Sequence, residues 1–122
     1  MTSKKKILLV DDEPDQTAIV AEWLSAGHEV IALGSPEAAL AELAKSTYDL
    51  LITDFSMPKM NGAQLIAKAI KLEGCAGLRV ILLTGIQDDL AILVIRSIPR
   101  IRFVEKPIRK KDFLPIVDEV LN

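Results

Sequence analysis

Leu8-Leu9-Val10-Asp11-Asp12, Leu50-Leu51-Ile52-Thr53-Asp54 and Val80-Ile81-Leu82-Leu83-Thr84 share one plan: a short apolar run ending in an acid or a hydroxyl. A weaker run, Phe103-Val104-Glu105, leads into Lys106-Pro107. Continuous β-branched and leucine runs are the mark of parallel strands buried on both faces, and in open α/β sheets ligands bind beyond the carboxyl ends of such strands. Four strands therefore aim three carboxylates, a hydroxyl and an ammonium at one place. That set suits a divalent cation and a phosphoryl group.

Between the runs, helix signals recur at regular intervals. Pro14 fits a first helical turn, and Ile19, Val20, Trp23 and Leu24 follow at helical spacing up to Gly27. His28 to Leu33 reads as a second strand. Ser35-Pro36-Glu37 supplies an N-cap, a proline at N1 and an acid near the positive end of a helix running to about Lys45. The third strand spans about Asp49 to Thr53. After it, a proline and an Asn61-Gly62 pair mark a folded loop, and Leu65, Ile66 and Ile70 lie on a helical face closed by Gly74 and Gly77. The helix expected after Asp88-Asp89 is apolar nearly all round, with Leu90, Ile92, Leu93, Val94, Ile95 and Ile98. A fifth strand starts at Arg100 or Ile101, and a last helix presents Phe113, Val117, Val120 and Leu121. Pro115 within it implies a late start, near Lys111.

Alternating strands and helices make an α/β fold, a doubly wound five-stranded parallel sheet in (βα)5 form. Right-handed crossovers leave the flavodoxin-like order 2-1-3-4-5, with strands 1 and 3 adjacent at the switch point. Asp11, Asp12 and Asp54 then become neighbours. The 122 residues, half hydrophobic and 26% charged, suit a single domain spanning residues 1–122. A lone cysteine, Cys75, and no run of about twenty apolar residues favour a reducing cytoplasmic compartment without membrane attachment. The net charge of −2 conceals a basic stretch from Arg96 to Lys111. With Phe103 its single aromatic, it lacks the interleaved rings that would support base stacking and reads as a solvated surface, so direct nucleic-acid binding is not expected.

Three close carboxylates repel one another unless a cation lies among them. Oxygen ligands supplemented by water and a phosphate oxygen match Mg²⁺ or Mn²⁺, whereas zinc would call on His28 or Cys75, which stand elsewhere. No organic cofactor is called for. Asp54, alone at the end of a central strand, is the best nucleophile for an acyl phosphate, and Asp11 and Asp12 suit ligation. Lys106 can neutralise phosphoryl oxygens, and Thr84 can donate a hydrogen bond to one.

Leu-Val-Asp11-Asp12-Glu13, Ile-Thr-Asp54-Phe-Ser-Met57-Pro58-Lys-Met60-Asn61-Gly62, Leu-Leu-Thr84-Gly85 and Phe103-Val-Glu-Lys106-Pro107 resemble the response-regulator receiver domains of two-component signalling. The resemblance covers nearly the whole chain, in order and at matching spacing. It implies that Asp54 is the phosphoacceptor, that Asp11, Asp12, Asp54 and the Ser56 carbonyl hold Mg²⁺, and that Thr84 and Lys106 hold the phosphoryl group. It further implies a cis Lys106–Pro107 bond and a switch formed by Thr84 and Phe103. Phe103 remains open to a second reading as a plain core residue. Ser56 and Ile86 resemble variable positions bordering the path of attacking water. Ile86 offers that water no polar group, so a longer-lived phosphoryl state than an acidic or amide residue would give is expected.

The implied partners are a histidine kinase or histidine phosphotransfer domain upstream. Downstream, a target protein or a homodimer would use the surface of the fourth helix, fifth strand and fifth, last helix. Ile98-Pro99-Arg100, where receivers often carry Ala-Gly-Ala, and the apolar fourth helix depart from the family pattern on that surface. The expected function is a phosphoaccepting signalling module rather than an enzyme with a separate substrate. A haloacid-dehalogenase-type phosphatase would want a second acid where Ser56 stands, and a flavodoxin-like cofactor binder would want a glycine-rich loop after the first strand.

Overall fold

The computed structural model describes residues 4–75, 77–85 and 100–122. The helix expected after Asp88-Asp89, together with Ile86 and Ile98-Pro99, lies outside the described residues. Five parallel strands, β1 (Lys6–Val10), β2 (Glu29–Leu33), β3 (Leu50–Asp54), β4 (Arg79–Thr84) and β5 (Ile101–Glu105), form one sheet in the order β2-β1-β3-β4-β5. Four helices are described: α1 (Pro14–Ser25), α2 (Pro36–Lys45), α3 (Gly62–Ala69) and, last in the chain, α4 (Lys110–Leu121).

Strand residues alternate between faces, so each central run feeds two cores. Leu8, Val10, Leu51, Val80 and Leu82 pack with Leu43, Leu65 and Ile66 on one side. Ile7, Leu9, Leu50, Ile52, Ile81 and Leu83 pack with Val20, Leu24, Phe113 and Val117 on the other. Burial on both faces is why these runs lack polar alternation. Register pairs Val10 with both Leu33 and Thr53, which brings the ends of β1 and β3 level.

Local chemistry sets the helix starts. Ser35 Oγ accepts from the Ala38 amide at 3.1 Å, with Pro36 at N1. Asn61 and Gln64 form a reciprocal capping box at α3. No helix among the described residues is long and apolar enough to cross a membrane.

Two local expectations require correction. Ile19, read with the apolar face of α1, points outward at 52% exposure, because Val20 and Leu24 already fill the contact with the sheet. Helix α3 stops at Ala69 rather than at the glycines. Turns through Leu72 and Cys75 follow it, and Gly74 takes a φ of 86°. Burying Cys75 and Leu78 bends the chain inward before β4 begins. Helix α4 starts at Lys110, within one residue of the expected late start, and Pro115 lies inside it. Phe113, Val117 and Leu121, buried at successive fourth positions, hold the helix to the sheet despite the proline.

Candidate functional site

The carboxyl ends of the strands gather the expected groups. Asp54 is the last residue of β3, paired with Leu83 of β4, and Asp11 and Asp12 follow β1 directly. Thr84 ends β4, and its carbonyl accepts the Lys106 amide at 2.7 Å, tying the turn after β5 to the same edge. Carboxylate oxygens of Asp11, Asp12 and Asp54 all lie within 4.8 Å of one another. The Lys106 ammonium reaches Asp54 Oδ1 at 2.5 Å. The Lys106–Pro107 peptide is cis.

Burial grades across this cluster. Asp11 and Asp54 are each 3% exposed, whereas Asp12 is open to solvent. The floor is therefore desolvated and the approach is wet. Burial raises the Asp54 carboxyl above the ordinary carboxylate range; the hydrogen bond and charge of Lys106 oppose that, and the charges of Asp11 and Asp12 add to it. Asp11 is raised by burial too, against a lowering hydrogen bond from the Glu13 amide to its Oδ1 at 3.0 Å. Both shifts mark carboxylates whose charges are incompletely balanced by the protein alone.

The donor chemistry fits a hard divalent cation. Three carboxylates converge, with solvent access through Asp12 for water ligands. No imidazole or thiol belongs to this cluster. His28 stands just before β2, where its Nδ1 accepts the Lys5 amide at 3.1 Å, and Cys75 is buried with its Sγ 3.9 Å from the Leu43 carbonyl. Ser56 lies exposed in the loop after β3. Thr84 is buried, and Phe103 is half-buried against the core that contains Val80 and Leu82.

Two residues matter here beyond those singled out from sequence. Thr17, in the first turn of α1, donates its hydroxyl to the Glu13 carbonyl at 2.8 Å and approaches the Asp11 carbonyl at 3.4 Å, bracing the acid loop. Gly62 packs so tightly that a Cβ there would meet the Asp54 carbonyl oxygen at 2.5 Å and Leu82 Cδ1 at 2.7 Å. Its signal was present: glycine is a poor first-turn residue unless close approach requires it.

The chain is similar to known proteins over nearly its whole length. The family model described as the response regulator receiver domain matches residues 7–118. The response regulator receiver protein CpdR of Brucella abortus is 27% identical over 119 residues, covering 96% of this chain and 97% of that protein. The response regulator protein FleR of Pseudomonas aeruginosa is 45% identical over 62 residues, 50% of this chain and 13% of its own length. Several other relatives are also much longer, and the chain spans less than a fifth of them. A crystal structure of a response regulator receiver domain protein from Clostridium thermocellum superposes with a TM-score of 0.85 at 28% identity, covering 97% of this chain and 94% of that one.

Proposed function

The chain belongs to the response regulator receiver domain family, and from that membership we propose that Asp54 accepts a phosphoryl group from a phosphohistidine. The observation carrying the proposal is the Lys106–Asp54 contact within reach of two further acids. An Asp54 carboxylate oxygen forms a bond to phosphorus as the phosphorus–nitrogen bond breaks, and the imidazole nitrogen retains the electron pair. Asp11, Asp12, Asp54 and the Ser56 carbonyl would hold Mg²⁺ or Mn²⁺, which would neutralise charge at the site when bound.

Lys106 and Thr84 then serve the product. The ammonium moves from the carboxylate to a phosphoryl oxygen, and the Thr84 hydroxyl donates to another. The modification adds about 1.5 to 2 negative charges. Movement of Thr84 opens space for the half-buried Phe103 ring, shifting the population of the surface that β5 and the last helix form with the helix expected from sequence after Asp88-Asp89. A histidine kinase or phosphotransfer domain is the donor, and a target protein or second copy is the reader. Ile86 slows loss of the phosphoryl group, so Ile86→Glu or Ile86→Asn dephosphorylates faster than the parent.

Beryllofluoride with Mg²⁺ tests this reading. Amide resonances of Thr84 and Phe103 shift only when both are present, and Asp54→Asn removes the response. Turnover of added phosphomonoesters without such a shift would instead make the protein a phosphatase.

A further inference from the structure

The opposite end of the sheet carries a second concentration of charge. Arg79 opens β4, Arg100 immediately precedes β5, and Arg102 is the second residue of β5. With Ile101 and Val120 they line a cleft of about 420 Å³. Register pairs Ile81 with Arg102, so alternation places Arg79 and Arg102 on the sheet face covered by the last helix.

Helix-end chemistry accounts for two of the three. Arg79 Nη1 donates to the Leu121 carbonyl at 3.3 Å, and Arg102 Nη1 to Glu119 Oε1 at 3.1 Å. Basic groups are favourable at that end of a helix. Each guanidinium has five N–H donors, so most remain available. Arg100 has no such explanation, since no hydrogen bond or ion pair joins its guanidinium to another described residue. Its φ is 71°, a conformation costly to a residue with a Cβ, and its carbonyl is fixed by the Val80 amide at 3.1 Å. The guanidinium lies over Gly77, where a Cβ would come 3.0 Å from Nη1. Backbone and neighbouring glycine together hold a third cation at a cleft that already has two.

We propose that this cleft binds compounds carrying a diphosphate group. Adjacent phosphates present enough acceptor oxygens to engage several guanidinium forks, which a single carboxylate does not. The volume falls in the range of small-molecule sites, and Val120, on the last helix, offers an apolar surface to whatever the diphosphate is attached to. Glu119 is the one carboxylate paired within the group, leaving the three arginines a net positive site among the described residues.

Calorimetric titration of the full chain in EDTA, with pyrophosphate, ADP or acetate, tests the proposal. Saturable binding of pyrophosphate or ADP, but not acetate, is expected. Arg100→Gln and Arg102→Gln should each weaken it at least tenfold while leaving the melting temperature and the beryllofluoride response unchanged. Equal affinities identify free diphosphate as sufficient, and tighter ADP identifies a nucleotide; both support the site. Failure of both to saturate at millimolar concentration overturns it, as does binding that survives both substitutions or is matched by acetate. Loss of the Asp54 response with cleft binding intact would count against the phosphoacceptor reading alone.

Discussion

Asp11 gives one carboxylate oxygen to the Glu13 amide and keeps the remainder of its charge in a buried place beside other acids. Its folded pKa is raised, chiefly by burial. A raised acid stabilises the fold below its unfolded pKa and loses that contribution as pH rises through the folded value. At neutral pH without metal, the ionised group is therefore a net burden. Asp11→Asn keeps the acceptor oxygen and should melt several degrees higher than the parent in EDTA at pH 7.5, with the gap closing toward pH 4. Mg²⁺ should raise the parent's melting temperature more than the variant's. Thermal unfolding across pH checks both signs, and a variant that melts lower at pH 7.5 contradicts them. The acids themselves were legible in the sequence because they end apolar runs. The bracing by Thr17 was not, since a threonine in a first helical turn carries no mark of the carbonyls it meets.

At the scale of elements, α3 starts where Gly62 touches the Asp54 backbone. Gly62→Ala would gain about 0.5–1 kcal/mol of helix propensity. It would lose more by forcing apart backbone and Leu82, since overpacking costs about 1–3 kcal/mol. Urea unfolding should show net destabilisation, together with slower modification of Asp54; a more stable variant would refute the close approach. Pro115 is the converse case. It is exposed, and it denies the Lys111 carbonyl its helical partner. Pro115→Ala should stabilise the protein by about 1–2 kcal/mol, raising the urea midpoint at unchanged slope. No rise would mean that the helix already accommodates the ring without loss. The starts of α1 and α2 were readable because proline and serine act locally. The end of α3 was not, because burial of Cys75 and Leu78 decided it.

For the whole molecule, strand order followed from the apolar runs and the handedness of crossovers, and the structure has that order. The acidic cluster came with it, because adjacency of β1 and β3 brings Asp11, Asp12 and Asp54 together. The arginine cleft at the other pole was hidden. Arg100 and Arg102 lie in the basic stretch read as a solvated surface and Arg79 lies far before it, and only strand register and the path of the last helix bring the three to one cleft. The central claim remains the phosphorylation of one buried carboxylate beside Lys106. Intact-protein mass spectrometry after incubation with acetyl phosphate tests it most directly. The parent should gain the mass of a single phosphoryl group when Mg²⁺ is present and none in EDTA, and Asp54→Asn should gain none in either. A parent that stays unmodified with Mg²⁺, or an Asp54→Asn protein modified equally fast, would contradict the account.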